Sequence, residues 1–145
     1  MKRSERGWVT LWGIGLAVAL VVFGALVVDV WRVFSERQEL GGLADSAAIA
    51  GATAIDQLVF RSTGEVILDS SEAPVRASQY LADNAFNLAG EVTANIVIVG
   101  APPDDLLSVT LTKDFEFAVL GPFVADDNLT FSITAFAQPG ERIGP

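Results

Sequence analysis

The sequence predicts an α+β protein: a single N-terminal transmembrane helix that extends into a long Ala/Gly-rich helix, then a small antiparallel-sheet head with a second helix. Three observations predict it. Near the N-terminus runs a 21-residue uncharged apolar stretch, Trp8 to Val28. Beyond it, apolar and small residues recur at three- and four-residue steps as far as Leu58. From Val92 onward, apolar and polar residues alternate. The expected organisation is a basic segment at 1–7, a transmembrane helix at 8–28, an extracytoplasmic domain at 29–137 and a flexible tail at 138–145. Within the domain, a helix is expected over about 29–60 and the head over about 61–137.

The apolar stretch, at roughly 1.5 Å per residue, spans about 30 Å, the thickness of a hydrocarbon core. Trp8 and Trp31 sit at its two edges, where an indole buries its ring and still hydrogen-bonds among headgroups. Asp29 and Arg32 stand at the outer edge as charges that set helix depth, which makes these four residues the interface anchors. Lys2, Arg3 and Arg6 precede the span against one acid, Glu5, and no basic excess follows it. The positive-inside rule therefore expects a cytoplasmic N-terminus and an extracytoplasmic remainder in a single-pass cell-membrane protein. Ala25-Leu-Val-Val-Asp29 lacks a small-x-small cleavage site, so the span is expected to be retained. Gly13, Gly15, Ala17 and Gly24 place small residues inside it, and the four-residue step from Gly13 to Ala17 is a spacing that lets helices approach closely.

After the span, Leu40, Leu43, Ala44, Ala47, Gly51, Ala54, Ile55 and Leu58 trace one face of a helix. With Ala48, this Ala/Gly face invites close packing, and the helix continues the span as a single rod whose one weak point is the pair Gly41-Gly42. Arg61-Ser-Thr-Gly64 should break the helix, and Val66-Ile-Leu68 reads as a short strand. Ser71 fits an N-cap, with Glu72 and Pro74 in the first turn of a second helix. Val75, Tyr80, Leu81, Ala85 and Leu88 outline its apolar side, ending near Ala89-Gly90. Val92–Val99, a run from Val109 to Val119 and a run from Leu129 to Thr134 read as strands with one buried face. Lys113 alone breaks the alternation of the middle one.

The residues also exclude much chemistry. The 145-residue chain has no Cys and no His, which removes thiol nucleophiles, thiolate and imidazole metal sites, disulfides and His-based triads. Residues 29–145 hold 6 basic and 17 acidic side chains, the wrong sign for a nucleic-acid binder. Asp104-Asp105 and Asp126-Asp127 are acidic pairs that read as turns placed for solubility rather than as cation or acid–base sites. Asn128-Leu-Thr130 matches a glycan acceptor pattern but sits at a strand start. No catalytic, cofactor or metal site is expected, and no small-molecule substrate.

Two stretches carry a family resemblance. Glu5-Arg-Gly-Trp-Val-Thr-Leu-Trp12 runs into the span, which closes with Val28-Asp-Val-Trp-Arg32. Arg37-Gln-Glu-Leu-Gly-Gly-Leu-Ala-Asp-Ser-Ala-Ala-Ile-Ala-Gly-Ala52 follows. Together they resemble the N-terminal region of TadG-like (TadE/TadG family) Flp pilus-assembly proteins, in the form found in actinobacterial tight-adherence clusters. The resemblance implies a non-enzymatic component that helps build or anchor an adhesive type IVb-like pilus, as a minor pseudopilin or an envelope component. The partners it implies are the lipid bilayer and other pilus-assembly or pseudopilin subunits. Processed members carry a Glu five residues after the Gly of their cleavage site. Counted from a Gly7–Trp8 site, that position here is Trp12, which cannot meet a neighbour's terminal amine as Glu does. Longer members carry a von Willebrand-type domain, for which 145 residues are expected to leave no room.

Two classes of function follow. In the first, the helix anchors the protein and its Ala/Gly face packs on partner subunits. In the second, the sheet recognises a ligand or wall polymer and the helix is a tether.

Overall fold

The computed structural model describes residues 5–84, 91–117 and 128–140. In chain order the elements are α1 (Glu5–Ala52), α2 (Gln57–Thr63), α3 (Glu72–Asn84), β1 (Val92–Val99), β2 (Leu106–Glu116) and β3 (Asn128–Ala137). The fold is mixed α+β, with a long apolar N-terminal helix followed by further helices and a three-stranded antiparallel sheet. Residues group into two compact units. One comprises 1–35 with 116–129, the other 36–115 with 130–145.

In the first unit, α1 is uninterrupted, and the large apolar side chains from Trp8 to Val28 are exposed. Trp8 and Trp12 lie one helical turn apart with ring centroids at 5.8 Å. Asp29 is fully buried, while Trp31 and Phe34 are exposed.

The second unit holds the core. Its sheet has the order β1-β2-β3, with β2 central. β1 and β2 pair antiparallel, from Val92 opposite Lys113 to Val99 opposite Leu106. Side-chain bonds between β2 and β3 step in opposite directions along the two strands, Thr110–Thr134 (2.9 Å), Thr112–Ser132 (3.4 Å) and Thr130–Asp114 (2.6 Å). This polar ladder occupies one face. Leu107, Val109, Leu111 and Phe115 occupy the other, in the two-residue period that a strand imposes. Leu107, Val109 and Leu111 meet Leu40, Ala44, Ala47 and Ala48 of α1 and Ala73, Ala77 and Leu81 of α3 in one cluster. Burying each Leu there contributes about 1.5–3 kcal/mol.

α1 runs through the Gly41-Gly42 pair as one helix, as the single-rod reading expects. Several expectations change. The helix expected to reach 60 stops at Ala52, because residues 54–56 use their backbone differently. Ala54 O accepts from Asp69 N (2.9 Å), and Asp56 N donates to Ile67 O (3.0 Å). A strand-like bridge joins Ile55 to Leu68, and it is all that forms of the expected strand at 66–68. Asp56 then caps α2, its Oδ1 accepting from Leu58 N (2.9 Å) and Val59 N (3.1 Å). Leu58, expected on the packed face, is exposed. α2 ends at Gly64, whose φ of 79° suits a residue without Cβ.

The cap of α3 also moves. Asp69 rather than Ser71 supplies it: Oδ1 accepts from Ser71 N (2.9 Å), Glu72 N (3.0 Å) and the Ser71 hydroxyl (2.6 Å). The buried face of α3 runs through Ala73, Ala77 and Leu81, which leaves Val75 exposed. The expected helix end at Ala89-Gly90, the end of the middle strand at Val119, the Asp126-Asp127 pair and the tail after Gly140 lie outside the described residues.

Candidate functional site

The candidate site is built from α1, whose first half is exposed and whose second half is partly buried. From residue 7 to 28 it presents apolar side chains on every side, as an α-helix in hydrocarbon must. An added Cβ at Gly13, Gly15 or Gly24 would meet nothing within 4 Å. Ala17 is likewise exposed.

The second half of α1 is used by the chain itself. Ala44, Ala47, Ala48 and Gly51, read from the sequence as packing positions, are buried in this chain's own core. Gly51 is the point of closest approach. A Cβ there would overlap the Leu107 side chain, lie 2.8 Å from the Ala73 carbonyl oxygen and 3.1 Å from the Ala77 Cβ. The Ala/Gly face thus exists because α1 lies against both α3 and β2.

Three groups not recognised from sequence hold this arrangement. Lys113, on the apolar face of β2, is 4% exposed and pairs with Glu36 of α1 at 2.5 Å. The Glu36 side chain keeps 22% exposure, so the pair stays partly hydrated. The break that Lys113 makes in the strand's alternation was the signal, but its partner lies 77 residues away in sequence. Asp105, read as a solvated turn residue, is buried and accepts from Leu68 N at 3.1 Å through Oδ2. It ties the β1–β2 loop to the segment beside α1. Asp69 is the third, and its carboxyl is held below the usual carboxylate range. The Ser71 hydroxyl contributes most, followed by the Glu72 and Ser71 amides, with Arg76 adding a weaker attraction.

Of the sequence-assigned anchors, Trp8, Trp31 and Arg32 are exposed and Asp29 is buried. Among the described residues, no group of three or more metal-ligating side chains converges.

Fold and site define a class: an α+β protein with an N-terminal helix long and apolar enough to cross a membrane, whose residues Leu40, Ala44, Ala47 and Ala48 belong to the core of the second unit. Residues 7–54 match the family model described as putative Flp pilus-assembly TadE/G-like. The matched stretch is nearly coextensive with α1, so the similarity resides in the helix and its exit into the second unit. It agrees with the resemblance carried by Glu5–Trp12 and Arg37–Ala52, and a TadE/G-like segment supports a role in the pilus assembly system. No curated protein and no solved structure is significantly similar to the chain.

Proposed function

We propose that this protein is a non-enzymatic, single-pass membrane component of a tight-adherence/Flp pilus assembly system, with its N-terminus cytoplasmic and its second unit outside. The observation that carries this reading is the coincidence of the TadE/G-like match with α1. The apolar half of α1 anchors the chain in lipid, and its open small positions Gly13, Ala17 and Gly24 receive the helices of other assembly subunits. Trp8 and Trp31 hold the helix at the two headgroup layers. The second unit acts as a folded domain carried by the anchor.

Trp12, standing where processed relatives have Glu, favours a component retained in the membrane over a cleaved minor pseudopilin. Mass spectrometry of sheared filaments and of membranes, reading the N-terminal peptide in each, tests this. The retained component is expected in membranes with Lys2-Arg3 intact. Recovery from filaments with a start at Trp8 would make it a processed pseudopilin. Recovery from neither, in cells that assemble pili, would sink the assembly role.

A further inference from the structure

Between the end of α1, α2 and the end of β3 lies an apolar groove of about 690 Å³, within the 300–1,000 Å³ of ordinary binding clefts. Ile49, Ile55, Phe60, Val66 and Phe136 line it, and among the described residues no charged side chain does. Ile49 is 57%, Phe60 46% and Phe136 62% exposed, so three large apolar groups stand together in water. None belongs to the core cluster. The surroundings make such a patch unusual: residues 36–115 and 130–145 carry 13 acidic and 5 basic side chains. Clustered exposed apolar groups of this kind mark interaction surfaces.

A second, polar recess of about 370 Å³ adjoins the groove and shares Thr53 and Ile55 with it. Asp56, Asp69 and Glu72 line the recess with one cation, Arg76, which pairs with Glu72 at 2.8 Å, so Asp56 and Asp69 carry its surplus negative charge. We propose that groove and recess form one docking surface for a partner polypeptide segment that carries an aromatic or branched aliphatic side chain beside Lys or Arg. The apolar group fills the groove and the cation lies over the carboxylates. Charge selects the occupant. Another copy of this chain would bring the same acidic surface and be repelled, whereas a basic segment is attracted over a distance of about 10 Å at 0.1 M salt. The inference goes beyond the assembly role and stands or falls independently of it.

The test uses the full chain in phosphatidylcholine nanodiscs and a labelled ten-residue peptide with two Phe and three Lys in a Gly/Ser background, read by fluorescence anisotropy. Saturable binding is expected. It should weaken at least tenfold when the peptide's Phe become Ser, when its Lys become Glu, or when the protein carries F136S. V75S, on the exposed side of α3, should change it less than twofold. I49S and F60S report on the same groove should F136S disturb folding by circular dichroism. Equal binding of the three peptides, or indifference to all three groove substitutions, overturns the proposal. So does sedimentation of the unliganded protein as a dimer that F136S dissociates, because a second copy would then be the occupant.

Discussion

Substituting Gly51 by Ala tests the central packing claim, because local and tertiary effects oppose each other. In an isolated helix this change stabilises by roughly 0.5–1 kcal/mol, since Gly loses more backbone freedom on folding. In this fold the new methyl would overlap Leu107, and it would lie 2.8 Å from the Ala73 carbonyl oxygen and 3.1 Å from the Ala77 Cβ. The Ala73 oxygen is backbone in the first turn of α3, so relief requires moving α3 or α1 as a whole. Overpacking of this type costs about 1–3 kcal/mol. Mid-range values, about 2 less about 0.75, leave a net destabilisation of about 1 kcal/mol, or roughly 4–8 °C in melting temperature for a domain of this size. Gly42 supplies the control. It is exposed in the same helix, with nothing within 4 Å of an added Cβ, so Ala there should stabilise by up to about 1 kcal/mol. Thermal melts followed by circular dichroism in detergent micelles compare both variants with the wild type. Wild-type or higher stability for G51A would refute the close approach of α1 to α3 and β2.

Other perturbations probe the charged groups. E36Q removes the counter-charge of Lys113 but keeps an acceptor beside a partly hydrated pair and should cost about 1–3 kcal/mol in urea unfolding, whereas the double variant E36L/K113M should lie near the wild type. An E36Q variant as stable as wild type would mean the pair does not form. D105L strands the buried Leu68 N–H and should destabilise by about 1–3 kcal/mol, while D105N keeps an acceptor and should cost less; equal melts for the two would exclude the hydrogen bond. Asp69 has a carboxyl pKa lowered by folding, so its contribution is present above the unfolded value and is lost as pH falls through the folded one. D69N, which still caps, should flatten the acid limb of the stability–pH curve while preserving the α3 helix signal, and an unchanged acid limb would assign that limb to other groups.

Much of this architecture was legible one element at a time. The long apolar helix needs only length and the absence of charge, both local properties. β1 appeared over its full length because eight residues with no charge or proline and many β-branched side chains have few alternatives. The helical periodicity through Gly51 likewise reported a genuinely buried face. The same periodicity misled beyond Ala52, since Ala54, Ile55 and Leu58 continue the step while the backbone turns to pair with residues 67–69. Asp56 and Asp69 were the local warnings, each an Asp just ahead of a helix that it caps.

Residue order alone determined that this chain has an apolar helix fit for a bilayer, an Ala/Gly-rich continuation, alternating strands and no His or Cys chemistry, because those properties depend on neighbours within a turn or a strand. Only the tertiary structure decided what the Ala/Gly face packs against, why a lysine sits on the buried side of β2, and where three exposed apolar groups gather around one groove. Those outcomes join residues tens of positions apart. Such contacts arise from close packing and from pairing buried charge, and no local pattern encodes which distant partner will supply them.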